Sequence, residues 1–161
     1  IPQLKDFLSE ARKAKVHVIF VQLVRDEKTN SGPFKEVMAR NKQKEFACHR
    51  GTWGAQLVDG IQPLKGEWVV EKNEKSAFMG TNFEVVLKNL GIKTIVLCGG
   101  ATNICLGTTA YDGFMLGYYI VVLRDLSRGS TDYHHRAALA NIDRSFGQVV
   151  SSKEILRIWK A

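Results

Sequence analysis

The sequence has no run of eighteen apolar residues, which excludes a helix long and apolar enough to cross a membrane. No charged-then-apolar leader opens it, so secretion is not expected. Cysteine is scarce and odd in number: Cys48, Cys98 and Cys105 lack disulfide spacing. That predicts free thiols in a reducing, cytoplasmic compartment. There is no internal repeat and no low-complexity segment. Acid is in deficit, 16 Asp and Glu against 23 Lys and Arg, leaving a net charge of +7. Such a balance raises the question of nucleic acid, but the basic residues are scattered among acidic ones. The Lys42-Gln43-Lys44 patch has only Phe46 beside it and no repeated aromatic platform. Neither a nucleic-acid nor a membrane partner is therefore expected. What remains is an ordinary globular composition, 45% apolar and 24% charged over 161 residues, the size of one domain.

Periodicity places the elements. Leu4, Phe7, Leu8 and Ala11 recur at three and four, predicting an amphipathic helix over 2–14. Val16-His17-Val18-Ile19-Phe20-Val21 reads as a first strand, with His17 packed beside that helix. Residues 24–66 are the least regular part, with a short helix near Phe34–Arg40; long segments of this kind are often functional. Trp68-Val69-Val70 is a second strand. A helix over 80–90 buries Phe83, Val86, Leu87 and Leu90, with Thr81 as its cap. Strand 93–98, a helix after Cys105, strand 118–123, a helix over 132–144 burying Ala137, Leu139, Ala140 and Ile142, edge strand 148–150 and a last helix from Ser152 to Trp159 complete the chain. Strands alternating with helices imply an α/β fold: a three-layer α/β/α sandwich around a mostly parallel, Rossmann-like sheet. Its crevice lies at the carboxyl ends of the strands, where the Lys72 loop, the Gly99–Cys105 turn and the Asp125 turn fall.

Cys105 is the most informative residue. A buried strand ends at Gly99-Gly100, and Ala101-Thr102-Asn103-Ile104-Cys105 leads into helical spacing at Leu106, Thr109, Ala110, Gly113 and Phe114. A thiol near a first helical turn meets unpaired N–H groups and the dipole, which favour a nucleophilic thiolate. By position alone a small buried core residue remains the equal alternative. Lys72, just past a strand end, reads alone as a surface charge. Beside a thiol it would stabilise the thiolate and negative charge on an attacked carbonyl. Cys98, within a strand, reads as core, and Cys48 stays open. His134-His135 and Tyr118-Tyr119 read as structural pairs.

Four ordered pieces resemble the isochorismatase-like cysteine hydrolases, the superfamily of nicotinamidases, N-carbamoylsarcosine amidase and ureidoacrylate amidohydrolases. They are Gly51-Thr52-Trp53-Gly54-Ala55, Lys72 with Ser76-Ala77-Phe78, Gly100-Ala101-Thr102-Asn103-Ile104-Cys105, and Asp112-Gly113-Phe114 with Gly117-Tyr118 and Asp125. Each is weak alone; together they span residues 4–155. The resemblance implies that Cys105 attacks a small amide, ureido or carbamoyl carbonyl and forms a thioester, with Lys72 as the catalytic lysine. It implies a cis peptide at Gly100–Ala101 and an oxyanion hole from the Ala101 and Cys105 N–H groups. Asn103, Trp53 and Phe78 are candidates to contact substrate, though each has a packing role as its alternative.

Two departures stand out. The family's third catalytic residue is an aspartate on a first strand that precedes the helix with which this sequence opens. No residue here matches it, and Asp6 lies within the helix. The expectation is a single domain, 1–161, without its N-terminal strand; the other reading is a non-catalytic binding or scaffold member of the fold. The second departure concerns metal. Asp26 has no histidine near it, Ala47 holds the place of the matching histidine, and His49, displaced by two, reads as a loop residue at the crevice mouth. No metal and no cofactor are expected. The implied partners are a small-molecule substrate and, from the resemblance, further copies in a homo-oligomer.

Overall fold

The computed structural model describes residues 1–41 and 48–160. The Lys42–Lys44 patch, Phe46 and Ala47 lie outside them. In chain order the elements are α1 (Pro2–Lys13), β1 (Ile19–Leu23), α2 (Gly32–Arg40), a single 3₁₀ turn (Trp53–Ala55), β2 (Trp68–Lys72), α3 (Phe83–Asn89), β3 (Thr94–Gly100), a π-helical turn (Thr102–Leu106), α4 (Gly107–Met115), β4 (Tyr119–Arg128), α5 (Asp132–Ser145), β5 (Gln148–Val150) and α6 (Ser152–Trp159). Among the described residues no helix is long and apolar enough to cross a membrane.

All strand pairings among the described residues are parallel. Among the described residues the strands form two sheets, β1-β2 and β3-β4-β5. Within β3 the side chains alternate between two cores, as a pleated strand requires. Ile95 and Leu97 face a core with Val70, Phe83, Leu87, Ala110, Ile120, Val122 and Ile142. Val96 and Cys98 face another with Phe7, Leu123, Leu126, Ile155 and Trp159. Helices α3, α4 and α5 thus cover one face and α1 and α6 the other, giving the three layers. The Phe7 and Trp159 rings meet at 5.2 Å, and α6 opens with a capping box between Ser151 and Glu154, which satisfies two orphan helix donors.

The two sheets are separated by a slot. β1 pairs with β2 and β3 with β4, so one edge of each faces the gap. A cavity of about 340 Å³ occupies it, lined by Ile19 and Val21 from β1 and by the whole run Thr94–Gly100 of β3.

Several boundaries differ from the sequence reading. β1 begins at Ile19 because its ladder with β2 opens at the Ile19–Trp68 pair; Val16 and Val18 are β-branched but lie before that ladder, and His17 is exposed on the slot wall. β2 runs on to Lys72, so the lysine is the last strand residue and not a loop residue. β4 extends to Arg128, which puts Asp125 inside a strand; its carboxylate accepts from the Ser152 N–H (2.8 Å) and hydroxyl (2.6 Å) at the start of α6. Partial burial raises its pKa, but those Ser152 bonds outweigh that and hold it below the ordinary value. The buried stripe of α5 is Ala138 and Ile142, with Leu139 half-buried, whereas Ala137 and Ala140 are exposed. Asn82, not Thr81, caps α3, although the Thr81 hydroxyl accepts from the Phe83 N–H at 3.0 Å.

Ile142 is fully enclosed in the larger core. Ile142→Ala is expected to cost about 2–5 kcal/mol in urea unfolding; a loss under about 1 kcal/mol would contradict this packing.

Candidate active site

The carboxyl end of β2 delivers Lys72. Alternation puts Val70 and Lys72 on one face, so both are buried, at 1% and 5% exposure. An ammonium so placed needs partners. The chain supplies them by curling back: Lys72 Nζ donates to the backbone carbonyls of Glu74 (2.6 Å) and Lys75 (2.7 Å). The Cys105 thiol is a further neighbour of the ammonium. Desolvation lowers the Lys72 pKa most, the neighbouring Cys105 opposes that, and Arg25 lowers it further.

The carboxyl end of β3 delivers Cys105. Gly99 turns the chain at φ +105°, and the Gly100–Ala101 peptide is cis. Thr102–Leu106 then make a π-helical turn before α4, so Cys105 sits within that turn and just ahead of the regular helix. Such turns recur at functional sites. Gly107 is required there, because a Cβ on it would lie 2.7 Å from the Thr102 carbonyl oxygen. The Ala101 carbonyl accepts from the N–H groups of Ile104 (3.0 Å) and Leu106 (3.1 Å).

Both Lys72 and Cys105 line the slot between β1 and β3, together with Gly99 and Gly100. Of the remaining candidates, none lines this cavity. Asn103 Oδ1 accepts from the Ser130 N–H (2.9 Å) and hydroxyl (3.3 Å), tying the turn to the segment before α5. Trp53 is 86% exposed. Phe78 packs on Phe83 and Tyr118, with ring centroids 4.9 and 5.9 Å away. Among the described residues no three His, Cys, Asp or Glu side chains converge as a metal site would need. Arg25, past the end of β1, is buried; it donates to the Asn73 carbonyl at 2.8 Å and its guanidinium lies 4.1 Å above the Phe34 ring. His49 bridges Arg25 in parallel fashion, as a loop residue.

The sequence reading passed over two anchors of the Cys105 turn. Thr102, fully buried, hydrogen-bonds His135 Nδ1 at 2.9 Å. Thr109, also buried, donates to the Cys105 carbonyl at 2.7 Å and accepts from the Ala77 N–H at 3.0 Å. The i, i+4 spacing of Cys105 and Thr109 was visible in sequence, but a threonine on the inner face of a helix reads as core filling. The partner Ala77 was not foreseeable from spacing.

Known proteins share this sequence pattern and this fold. The family model described as the isochorismatase domain matches residues 1–154. A ureidoacrylate amidohydrolase of Pseudomonas savastanoi pv. phaseolicola is 42% identical over 75% of this chain, yet the match spans only 50% of that relative. One from Caulobacter vibrioides is 32% identical, over 94% of this chain and 73% of its own length. The chain thus spans from about half to three quarters of these curated relatives. Among solved structures, a cysteine hydrolase from Pseudomonas syringae pv. phaseolicola superposes with a TM-score of 0.87 at 26% identity, covering 99% of this chain and 78% of its own.

The thiols of Cys98, inside β3, and Cys105, in the turn after it, differ. Burial pushes Cys98 up to about 11, so at pH 8 only about one molecule in a thousand carries its thiolate. Iodoacetamide at pH 8 is expected to label Cys105 and leave Cys98 unmodified, and Lys72→Met should slow Cys105 labelling roughly tenfold, read by peptide mass spectrometry. Equal labelling of both cysteines would contradict the arrangement.

Proposed function

We propose that this chain, which belongs to the isochorismatase family, is the greater part of a single cysteine-dependent hydrolase domain acting on a small amide, ureido or carbamoyl compound. The observation that carries the proposal is the convergence of Lys72 and Cys105 on one cavity at the carboxyl ends of β2 and β3. The names of the relatives, ureidoacrylate amidohydrolases, support a ureido acid as the substrate class.

In this reading Cys105 Sγ bonds to the substrate carbonyl carbon. The oxyanion that develops is met by the N–H groups of Ala101 and Cys105, whose turn is fixed by the Ala101 carbonyl bonds and by Gly107. Preorganised donors of this kind lower the barrier because they need not reorient. The C–N bond then breaks, and the leaving nitrogen takes up one proton. Water adds to the thioester, the C–S bond breaks, and the thiol regains its proton. Lys72 does not serve as the proton carrier. Two of its three donors are taken by the Glu74 and Lys75 carbonyls, which hold it as a fixed cation beside the sulfur.

The proton transfers need a further group, and the slot supplies room for it. Parallel neighbours lie about 4.8 Å apart, so one strand inserted between β1 and β3 would pair both free edges and join the two sheets into one. The resemblance assigns an aspartate to such a strand. Its carboxylate, at the carboxyl end, would stand beside Lys72 and Cys105 as general acid and base.

Ammonia release from a panel of small ureido and carbamoyl compounds tests this in the full-length protein. Cys105→Ala is expected to lower kcat by roughly 10⁴-fold or more with the thermal midpoint little changed. Turnover retained in that variant would remove Cys105 from the role of nucleophile.

A further inference from the structure

We infer that Thr109 is a positioning residue that locks the Lys72 loop to the nucleophile turn, so that the ammonium and the thiol keep their separation. The inference rests on the hydrolase reading, in which Lys72 activates Cys105.

The Thr109 hydroxyl is buried and commits its donor and an acceptor site to two different segments: it donates to the Cys105 carbonyl at 2.7 Å and accepts from the Ala77 N–H at 3.0 Å. The first bond alone would be ordinary, since threonine in a helix commonly bonds back to the carbonyl four residues earlier. Thr108 moreover donates to that carbonyl as well, at 3.2 Å. The informative bond is the second, which crosses 32 positions of sequence. Ala77 is fully buried, so its N–H has no water to fall back on. It stands two residues after Lys75, whose carbonyl is one of the two that grip the Lys72 ammonium. The loop from Lys72 to Ala77 is therefore clamped at both ends, by Lys72 Nζ inside and by Thr109 outside. Since Thr109 also holds the Cys105 carbonyl, one hydroxyl spans the two halves of the proposed catalytic pair.

Thr109 is thus a neutral hydrogen-bonded tie between the Lys72 loop and the Cys105 turn, beside the packing of Ala77 in one core with Leu106 and Ala110. The charged groups around the pair are Lys72 at the end of β2, Glu74 in the following loop and Arg25 past the end of β1, and none of them hydrogen-bonds Thr109. Removing the hydroxyl while keeping the shape isolates its role, because valine is nearly the same size.

The experiment is the rate of Cys105 alkylation by iodoacetamide in a double-mutant cycle of Thr109→Val and Lys72→Met, with Thr109→Ser beside it and folding checked by near-UV circular dichroism. The expected result is that Thr109→Val slows alkylation about fivefold to tenfold, that Thr109→Ser restores the rate to within twofold of the parent, and that Thr109→Val has no further effect once Lys72 is Met. Equal slowing by Thr109→Val with and without Lys72 would overturn the inference, because the residue would then act on the turn alone and not through the lysine. So would an unchanged rate in Thr109→Val. If Thr109→Val does not fold, a folded Thr109→Ser variant that fails to keep the rate overturns it equally, and one that keeps the rate supports it. Should Lys72→Met itself leave alkylation unchanged, the activating role of Lys72 fails, and this inference with it.

Discussion

A buried ammonium facing a thiol is the interaction on which the rest of this structure depends. Lys72 occupies a position that strand alternation assigns to the core, on the same face as Val70. A charge there is costly to desolvate, and breaking such a site by removing one partner costs more than a surface pair ever contributes. The chain meets the cost locally, with the carbonyls of Glu74 and Lys75. The tight loop through Ser76 and Ala77, and the packing of Phe78 on Gly113, are the geometry required to bring those carbonyls round. A Cβ on Gly113 would lie 2.9 Å from Ile120 Cδ1 and 3.3 Å from the Phe78 ring, so that glycine permits the loop to seat against α4.

The Cys105 turn meets the same requirement from the other side. Between the end of β3 and the start of α4 the backbone is held at the first two residues of the π-helical turn, by Thr102 on His135 and Asn103 on Ser130. These contacts reach to the start of α5 and hold the turn independently of anything bound. The cysteine itself stays half-buried and open to the slot. Rigid scaffold and accessible sulfur are thereby separated into different residues, which is how a site is kept within tight geometric tolerance without being closed to substrate. The slot extends this logic to the whole sheet. Its two walls are strand edges, and unpaired strand edges are sites that accept another strand.

Much of the fold was legible because its signals are local. The stripes of α1 and α3, the β-branched run of β3 and the Gln148–Val150 strand come directly from residue spacing. Lys72 stands out as a charged residue that ends a strand pattern, and Cys105 as a thiol that follows a strand's glycine turn where helical spacing begins. The misreadings came where partners decide the outcome. Val16 and Val18 are β-branched, but they lie before the ladder with β2; Ala137 and Ala140 are small enough that their burial depends on what faces them. The alternative role of Asn103, fixing the turn, shows only in its bonds to Ser130, which is distant along the chain. Thr109 carries no sequence mark that separates a clamp from core filling, since its meaning lies in Ala77, a residue distant along the chain. The division of the sheet was likewise invisible to periodicity, which reports strands and not their neighbours.

The central claim is that Cys105 becomes covalently acylated beside a fixed Lys72 cation. The most direct measurement is rapid acid quench of the full-length protein during turnover of a small ureido or carbamoyl compound, with peptide mapping by mass spectrometry. The account predicts an acyl adduct on the peptide containing Cys105 that forms and decays within the turnover time. Turnover with no adduct at Cys105, or with the adduct on Cys48 or Cys98, would contradict it.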